Sequence, residues 1–292
     1  MKLDPKQTEH QRFHRLLLGS IAPRPIAFAS TIDKAGNPNL SPFSFFNAFG
    51  VNPATLIFSP SRRGRDNTTK HTYENLKEVP EVVINVVSYN MVQQMSLAST
   101  EYPKGVNEFT KSGFTAIPSE KIRPARVKES PVQFECKVRQ IVETGDGPGA
   151  GNLIICEILL AHIDDRILDT DQLIDPDKID LVGRMGGNYY VRTSGKAKFI
   201  VPKPLAKLGI GIDSLPEKIR YSPLLSGNEL GLLGNLEAMP APEEIEAFRS
   251  KNNQYEILKE EPEKLFREAK LAIEKGDVLF ALKLLLAFVQ TD

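Results

Sequence analysis

The alternation of apolar and polar residues over the first two thirds of the chain predicts a mainly β structure. Helices are predicted only within the first twenty residues and at 69–78 and 90–98. The predicted strands span 24–31, 43–48, 54–59, 81–87, 131–142 and 153–164. Because so few helices separate these strands, the pattern favours an antiparallel barrel over a doubly wound parallel sheet.

After about residue 193 the spacing of apolar residues becomes helical. The final predicted helix, VLFALKLLLAFVQ, is almost wholly apolar. Such a segment must be covered, so we expect it to pack against the barrel or against a partner subunit. We therefore predict two domains, a β-barrel over residues 1–193 and a helical C-terminal extension over residues 194–292.

The segment from Ser41 to Asn75 combines aromatic side chains with a cluster of cations and hydroxyls. Its aromatic residues are Phe43, Phe45, Phe46 and Phe49, and its cations are Arg62, Arg63, Arg65 and Lys70. Guanidinium and hydroxyl groups form short charge-assisted hydrogen bonds with phosphate. A flat apolar surface beside such a loop indicates a phosphorylated aromatic ligand. The alternative for either feature alone is a set of core phenylalanines or a solvated turn.

The charge balance argues against general nucleic-acid binding. Lys plus Arg and Asp plus Glu each number 37, so the formal net charge is zero and no strong basic field surrounds the chain. No apolar window reaches the length of a membrane span, and the first residues lack the apolar core of a signal peptide. We therefore expect a cytoplasmic protein with no membrane partner.

The two cysteines are predicted to be reduced core residues. They lie on neighbouring predicted strands that flank a glycine-rich turn. If the turn is centred near Pro148, Cys136 faces residue 160, and the two sulfurs are separated by roughly 13 Å, which is beyond disulfide reach. Reduced thiols fit a reducing compartment.

Other motifs give no separate site. The glycine-rich run at 145–151 is interpreted as a hairpin loop, because a strand follows where a dinucleotide-binding motif needs a helix. His10 and His14 have helical spacing but no third ligand nearby, so no metal site is predicted. The sequence has no P-loop and no Gly-x-Ser-x-Gly motif. If the protein is an enzyme, its reactive chemistry belongs to a cofactor.

Several short motifs occur in an order that is typical of one family. They are PRPIA at 23–27, NLSPFS at 39–44 with Phe46 and Asn47, Phe58 with Ser59, KHT at 70–72 with Asn75, and EYPKGVNEF at 101–109. Over about residues 12–193 the chain resembles the flavin reductase-like FMN-binding family, near flavoredoxin. The resemblance implies a Greek-key split β-barrel with peripheral helices, which usually forms a homodimer and binds FMN near the subunit interface.

The resemblance also assigns residues to the two halves of the cofactor. It implies that the isoalloxazine ring is lined by Ser41, Ser44, Phe45, Phe46 and Asn47. It implies that the phosphate is held by Ser59, Arg62, Lys70 and Thr72, with Asn75 closing the pocket. This chain has His71 where the family commonly carries an aspartate.

The segment GRMGGNYYVR at 183–192 resembles the late segment that lies near the ring in this family. In that interpretation a substrate or nicotinamide pocket is shaped by Arg184, Gly186, Gly187, Tyr189 and Tyr190. The alternative is a glycine-hinged strand end with packing tyrosines.

The function implied is an FMN-dependent oxidoreductase. It would take electrons from NADH or NADPH and pass them to flavin, to a small-molecule substrate or to an electron-accepting partner, with the chemistry at flavin N5 and no catalytic side chain. Three alternatives stay open: an FMN-binding electron carrier without nicotinamide activity, a non-catalytic interaction protein acting through its helical tail, and a split-barrel oxidase of a phosphorylated amine.

Overall fold

The computed structural model describes residues 1–202 and 208–289, and the last residue of the final predicted helix, Gln290, lies outside these ranges. The chain divides into two compact units, Met1–Phe199 and a second unit that begins at Ile200. Among the described residues, strands occur only in the first unit.

The first unit contains eleven strands and five α-helices among its described residues. The strands are β1 (Ala27–Ile32), β2 (Pro38–Phe43), β3 (Phe46–Val51), β4 (Ala54–Phe58), β5 (Glu81–Val86), β6 (Ala116–Ile117), β7 (Arg126–Val127), β8 (Val132–Glu143), β9 (Asn152–Ile163), β10 (Val182–Arg184) and β11 (Tyr190–Arg192). The helices are α1 (His10–Ser20), α2 (His71–Glu78), α3 (Val92–Leu97), α4 (Glu108–Ser112) and α5 (Pro176–Ile179).

Seven of these strands form one antiparallel sheet in the order β2-β1-β5-β8-β9-β4-β3. The long β8–β9 hairpin lies at its centre, with Val132 opposite Ile163 at one end and Glu143 opposite Asn152 at the other. The glycine-rich run joins these two strands, so the hairpin interpretation is confirmed. β6 pairs with β7 and β10 with β11 in two small separate ribbons.

Alternate residues of the central strands bury opposite faces of the sheet. On β1, Ala27 and Ala29 belong to the interior cluster, which α2 covers with Tyr73 and Leu76. Phe28 points to the other side, into a second cluster that includes residues of α3 and α4. The mainly β prediction is confirmed, and both faces of β1 are buried.

One predicted strand proved to be two. Within the segment predicted at 43–48, Phe43 is the last residue of β2 and Phe46 is the first residue of β3, with a bend between them. The two pieces pair at opposite edges of the sheet, β2 with β1 and β3 with β4, so they cannot form one straight strand. The strand predicted from residue 24 begins at Ala27, because Pro25 has no amide hydrogen for the ladder.

The predicted register of the cysteines was wrong. Cys136 lies opposite Ile158 and Cys156 lies opposite Val138, because the pairing of Glu143 with Asn152 centres the turn before Pro148 and an irregularity between Val138 and Gln140 shifts the register. A β-bulge adds a residue to one strand, which a count from the turn does not anticipate. The cysteines are therefore diagonal neighbours, and both are free thiols buried in the interior cluster.

The described residues of the second unit contain five α-helices. They are α6 (Glu217–Arg220), α7 (Gly227–Gly234), α8 (Pro242–Lys251), α9 (Pro262–Glu274) and α10 (Val278–Phe288). The apolar end of the chain was expected to pack against the barrel or a partner. Instead, Leu282 and Leu285 of α10 are buried with Leu265 of α9 and Leu233 of α7 in one cluster. Among the described residues, no helix has both the length and the apolar character to cross a membrane.

Candidate functional site

The cation-rich loop leaves the sheet at the end of β4 and is fixed to two neighbouring strands. The Ser59 amide donates to the Phe45 carbonyl oxygen at 2.9 Å, and the Asn152 amide donates to the Ser59 hydroxyl at 3.1 Å. Further along, the Arg62 amide donates to the Ala150 carbonyl oxygen at 2.9 Å. Ser59 is buried by these contacts, and the loop begins between β3 and the β8–β9 hairpin.

The Arg62 guanidinium lies against its own loop. Its Nε donates to Asn67 Oδ1 at 2.8 Å, and its Nη2 donates to the Asn67 carbonyl oxygen at 2.6 Å. Asn67 has a φ of 58°, in the left-handed region that asparagine enters more readily than most residues. Its side-chain amide donates to the Asp146 carbonyl oxygen at 2.9 Å, which ties the loop to the hairpin. Arg62 therefore fixes the shape of this loop.

The other cations of the loop converge on one carboxylate. Arg63 Nε and Lys70 Nζ each lie 3.1 Å from Glu101 Oε1, and Arg65 Nη2 lies 3.1 Å from Glu101 Oε2. Hydrogen bonding and charge from Lys70, followed by Arg63, lower the pKa of Glu101. Asp66 also lies 3.2 Å from Arg65 Nη2 and raises the pKa of that guanidinium. The loop thus presents an anion-binding group of three cations.

Thr72, a predicted phosphate ligand, and Asn75, predicted to close the pocket, both bond to the first two strands. Thr72 is buried and its hydroxyl accepts from Asn39 Nδ2 at 2.9 Å. Asn75 is also buried and its Nδ2 donates to the Thr31 hydroxyl at 3.2 Å. Both side chains join α2 to the first two strands. Lys70, one residue before α2, is the predicted ligand that joins the cation group.

His71 begins α2 where the resembling family commonly has an acid. Burial lowers the pKa of His71, and nearby Arg63, Lys104 and Lys70 lower it further, while Glu74 opposes them. A lowered pKa keeps the imidazole neutral at neutral pH. The position therefore adds no positive charge beside the cations, and it also lacks the negative charge of an acid.

The residues predicted to line the ring are contiguous, from the end of β2 through the bend into β3. Phe45 is 38% exposed, whereas Phe46 packs against the interior cluster. Ser41 and Ser44 are half-buried, and Asn47 is exposed with its Oδ1 accepting from its neighbour's amide. An aromatic face and several small polar groups are thus accessible together.

Strand pairing brings the ring candidates beside the loop. Phe46 lies opposite Phe58 and Asn47 opposite Ile57 in the β3–β4 ladder. Since β4 leads directly into Ser59 and the cations, the aromatic bend and the anion-binding loop are neighbours in space as well as in sequence.

Arg24 supports the bend from behind. Its guanidinium donates to the carbonyl oxygens of Leu18, at 2.6 Å, Ile21 and Met185, at 3.1 Å. Its Nε lies 3.4 Å from the Ser44 hydroxyl. The side chain is buried, and burial together with the charge of Arg184 lowers its pKa. Arg24 therefore joins the end of α1, the segment after β10 and a predicted ring contact.

The segment after β10 contains both structural and accessible groups. Arg184 lies over the Tyr190 ring, 4.6 Å from its centroid, and its Nη2 donates to the Gly187 carbonyl oxygen at 2.6 Å. Gly186 approaches the backbone so closely that an added Cβ would lie 3.1 Å from Gly19 Cα. Tyr189, in contrast, is 77% exposed. The packing interpretation fits Tyr190 and Gly186, and Tyr189 is free for contact.

Arg24 and Glu101 were absent from the predicted site. Both lie inside motifs that carried the resemblance, PRPIA and EYPKGVNEF. A lone arginine between two prolines, in an otherwise apolar motif, is the signal that could have identified Arg24. Glu101 lies some thirty residues beyond the cations, and only the fold brings it to them.

Comparison with known proteins identifies the family. Residues 18–178 match the model of the family described as "Flavin reductase like domain". This chain belongs to the flavin reductase-like family. An uncharacterized protein of Aquifex aeolicus (strain VF5) is 39% identical over 201 residues, which are 69% of this chain and 100% of that protein.

Solved structures also match a large share of this chain. Nitrilotriacetate monooxygenase component B from Bacillus cereus is 26% identical with a TM-score of 0.64, over 69% of this chain and 98% of that one. The 2-nitrobenzoate 2-nitroreductase of Pseudomonas fluorescens is 25% identical with a TM-score of 0.61, over 72% and 100%. The predicted family and the split-barrel fold with C-terminal helices are therefore confirmed.

Proposed function

We propose that this flavin reductase-like protein binds FMN and transfers electrons from NADH or NADPH to flavin or to an electron-accepting partner. One observation carries the proposal: β3–β4 pairing places the Phe45–Asn47 bend beside the cation loop. An aromatic surface next to an anion-binding loop matches the two ends of a phosphorylated flavin.

The donor set fits FMN in chemical type. Arg63, Arg65 and Lys70 are cations suited to a phosphate monoester. Phe45 offers an exposed aromatic face, and Ser44 and Asn47 offer hydrogen-bonding groups to a heteroaromatic ring. Bound flavin would supply the redox chemistry, since it accepts electrons from a reduced nicotinamide and passes them on. The protein would contribute binding, orientation and electrostatics.

The names of two similar proteins support a reductase and leave the acceptor open. One is a monooxygenase component and the other a nitroreductase. We further propose a homodimer, because the edge strand β3 exposes Phe49 and Val51. Two free cysteines support a reducing, cytoplasmic setting.

The test is the visible spectrum of the purified protein with added FMN, followed by anaerobic addition of NADH and then NADPH. We expect a yellow protein whose flavin absorbance bleaches promptly with one of the two nucleotides. Free FMN at the same concentration, treated identically, is the control for direct reaction. A yellow protein that neither nucleotide bleaches would favour the electron carrier, and a colourless protein that takes up no FMN would overturn the proposal.

A further inference from the structure

The carboxylate of Glu101 occupies the centre of the cation group in this structure. It receives Arg63 and Lys70 on one oxygen and Arg65 on the other, each at 3.1 Å. Arginine and lysine arranged in this way suit a phosphate, whose several oxygens can each accept a hydrogen bond.

The cation loop keeps its shape through bonds that do not involve Glu101. The Arg63 amide donates to the Thr68 carbonyl oxygen at 2.8 Å, and the Asn67 amide donates to the Arg63 carbonyl oxygen at 3.0 Å. Arg63 Nη1 also donates to the Thr68 hydroxyl at 3.0 Å. These bonds fix Arg63 and the loop backbone without Glu101, and Arg65 keeps its ion pair with Asp66 at 3.2 Å.

The charge in the group exceeds what Glu101 neutralises. Arg63, Arg65 and Lys70 face two acids, Glu101 and Asp66. Asp66 is held by its own loop, since it accepts from both the amide and the hydroxyl of Thr68. Without Glu101 the cations retain a net charge of two, which matches the charge of about −1.5 to −2 on a phosphate monoester at neutral pH.

The side chain of Glu101 is held only weakly in this position. Its side chain is 42% exposed, so each of its ion pairs is screened by water. It lies in the connection between α3 and α4, outside any helix or strand. A ligand group with more charge than a carboxylate can replace it at small cost.

We propose that Glu101 is an internal competitor that occupies the phosphate site and is displaced when a phosphate monoester binds. The inference rests on the proposed function for its choice of ligand. The phosphate belongs either to FMN or to the 2′-phosphate of NADPH, and the two sources share the same chemistry. In either case the protein discriminates against the corresponding ligand without phosphate, because only a dianion forms interactions with the cations strong enough to replace the ion pairs of Glu101.

The test compares wild type with Glu101→Gln by flavin fluorescence titration with FMN and with riboflavin. We expect the variant to bind FMN about tenfold more tightly, because FMN no longer has to displace several weak, exposed ion pairs. We expect its affinity for riboflavin to stay within about twofold of wild type. Parallel titrations with NADPH and NADH locate the phosphate: tightening confined to NADPH would assign the site to the nicotinamide nucleotide. Glu157→Gln makes the same substitution in an ion pair outside the cation group, with Arg139, and is the control.

The opposite sign has a different meaning. If Glu101→Gln weakens FMN and NADPH binding, Glu101 positions the cations, and if neither affinity changes, the cations do not hold the phosphate; either result overturns the inference. If wild type binds no flavin, the proposed function fails, and calorimetric titration with inorganic phosphate then decides the inference separately. Tighter phosphate binding by Glu101→Gln supports it, and equal binding refutes it.

Discussion

Cys136 and Cys156 are the side chains whose ionisation the fold changes most clearly. Both are fully buried in the interior cluster. Burial raises the pKa of Cys156 to about 12 and that of Cys136 well above its usual value. Because the thiolate is the reactive form, we expect neither thiol to react with a colorimetric thiol reagent in the native protein at about pH 8. Both should react in denaturant.

The same shifts predict how stability depends on pH. A group whose pKa is higher in the folded state contributes stability that is fully present below the unfolded pKa, here about 8.5 for a cysteine. That contribution is lost as the pH rises through the folded values. Denaturant midpoints measured from about pH 7 to 10 should therefore fall, and a Cys156→Ser variant should show a shallower decline. Rapid labelling of the native protein would contradict this picture.

Residue types at the site could be predicted from the sequence, but their partners could not. Lys70 was expected at an anion site and lies in the cation group. Arg62 was expected beside it, yet its guanidinium is bound to Asn67, whose left-handed backbone returns the chain toward it. Thr72 looked equally suitable, but the phase of α2 turns it into the interior. Such differences depend on where a side chain lies around its helix or loop. A shift of one residue changes that direction, and the types and order of the residues do not determine it.

At the scale of elements, the strands were predictable where an apolar run is long and the turn is obvious. The β8–β9 hairpin was placed within a residue at each end. Errors occurred where the chain changes partners, as at the bend between β2 and β3, or where bulges shift the ladder, as opposite Cys136. Both features depend on tertiary structure, because they are determined by pairing with strands that are distant in sequence.

β3 is the element whose surface predicts assembly. It is an edge strand, and Phe49 and Val51 are 63% and 94% exposed. Exposed apolar residues on an edge strand favour pairing with another chain. We expect wild type to sediment as a dimer and Phe49→Lys to raise the dimer dissociation constant at least about tenfold. Leu173→Lys changes a similarly exposed side chain in a loop and should leave the dimer unchanged. Wild type that sediments as a monomer at micromolar concentration would refute the expectation.

At the scale of the whole molecule, the change from strand to helical spacing indicated a second part of the chain. The sequence could not show what covers its apolar helices, because an amphipathic pattern identifies a buried face without identifying its partner. The structure shows that Leu233, Leu265, Leu282 and Leu285 cover one another. One relative is matched over its full length by 69% of this chain.

The flavin reductase-like unit should therefore fold and bind flavin without the helical unit. Among the described residues, the last buried side chain in its core clusters is that of Val182. The first buried side chain in the helical cluster is that of Leu215. The junction is exposed, with Phe199 and Ile200 at 85% and 91%, so cutting there opens no core. We expect a chain of residues 1–199 to bind FMN with an affinity within about twofold of the full chain.

A shorter chain provides the contrast. Ending the protein at Ile179 removes β10 and β11, and with them both the buried Val182 and the Met185 carbonyl that Arg24 contacts at 3.1 Å. The buried guanidinium of Arg24, which lies beside the Ser44 hydroxyl, then loses one hydrogen-bond acceptor. FMN binding should weaken in this chain and not in residues 1–199. If residues 1–199 fold, by circular dichroism and a cooperative denaturant transition, yet lose FMN binding, the expectation is refuted.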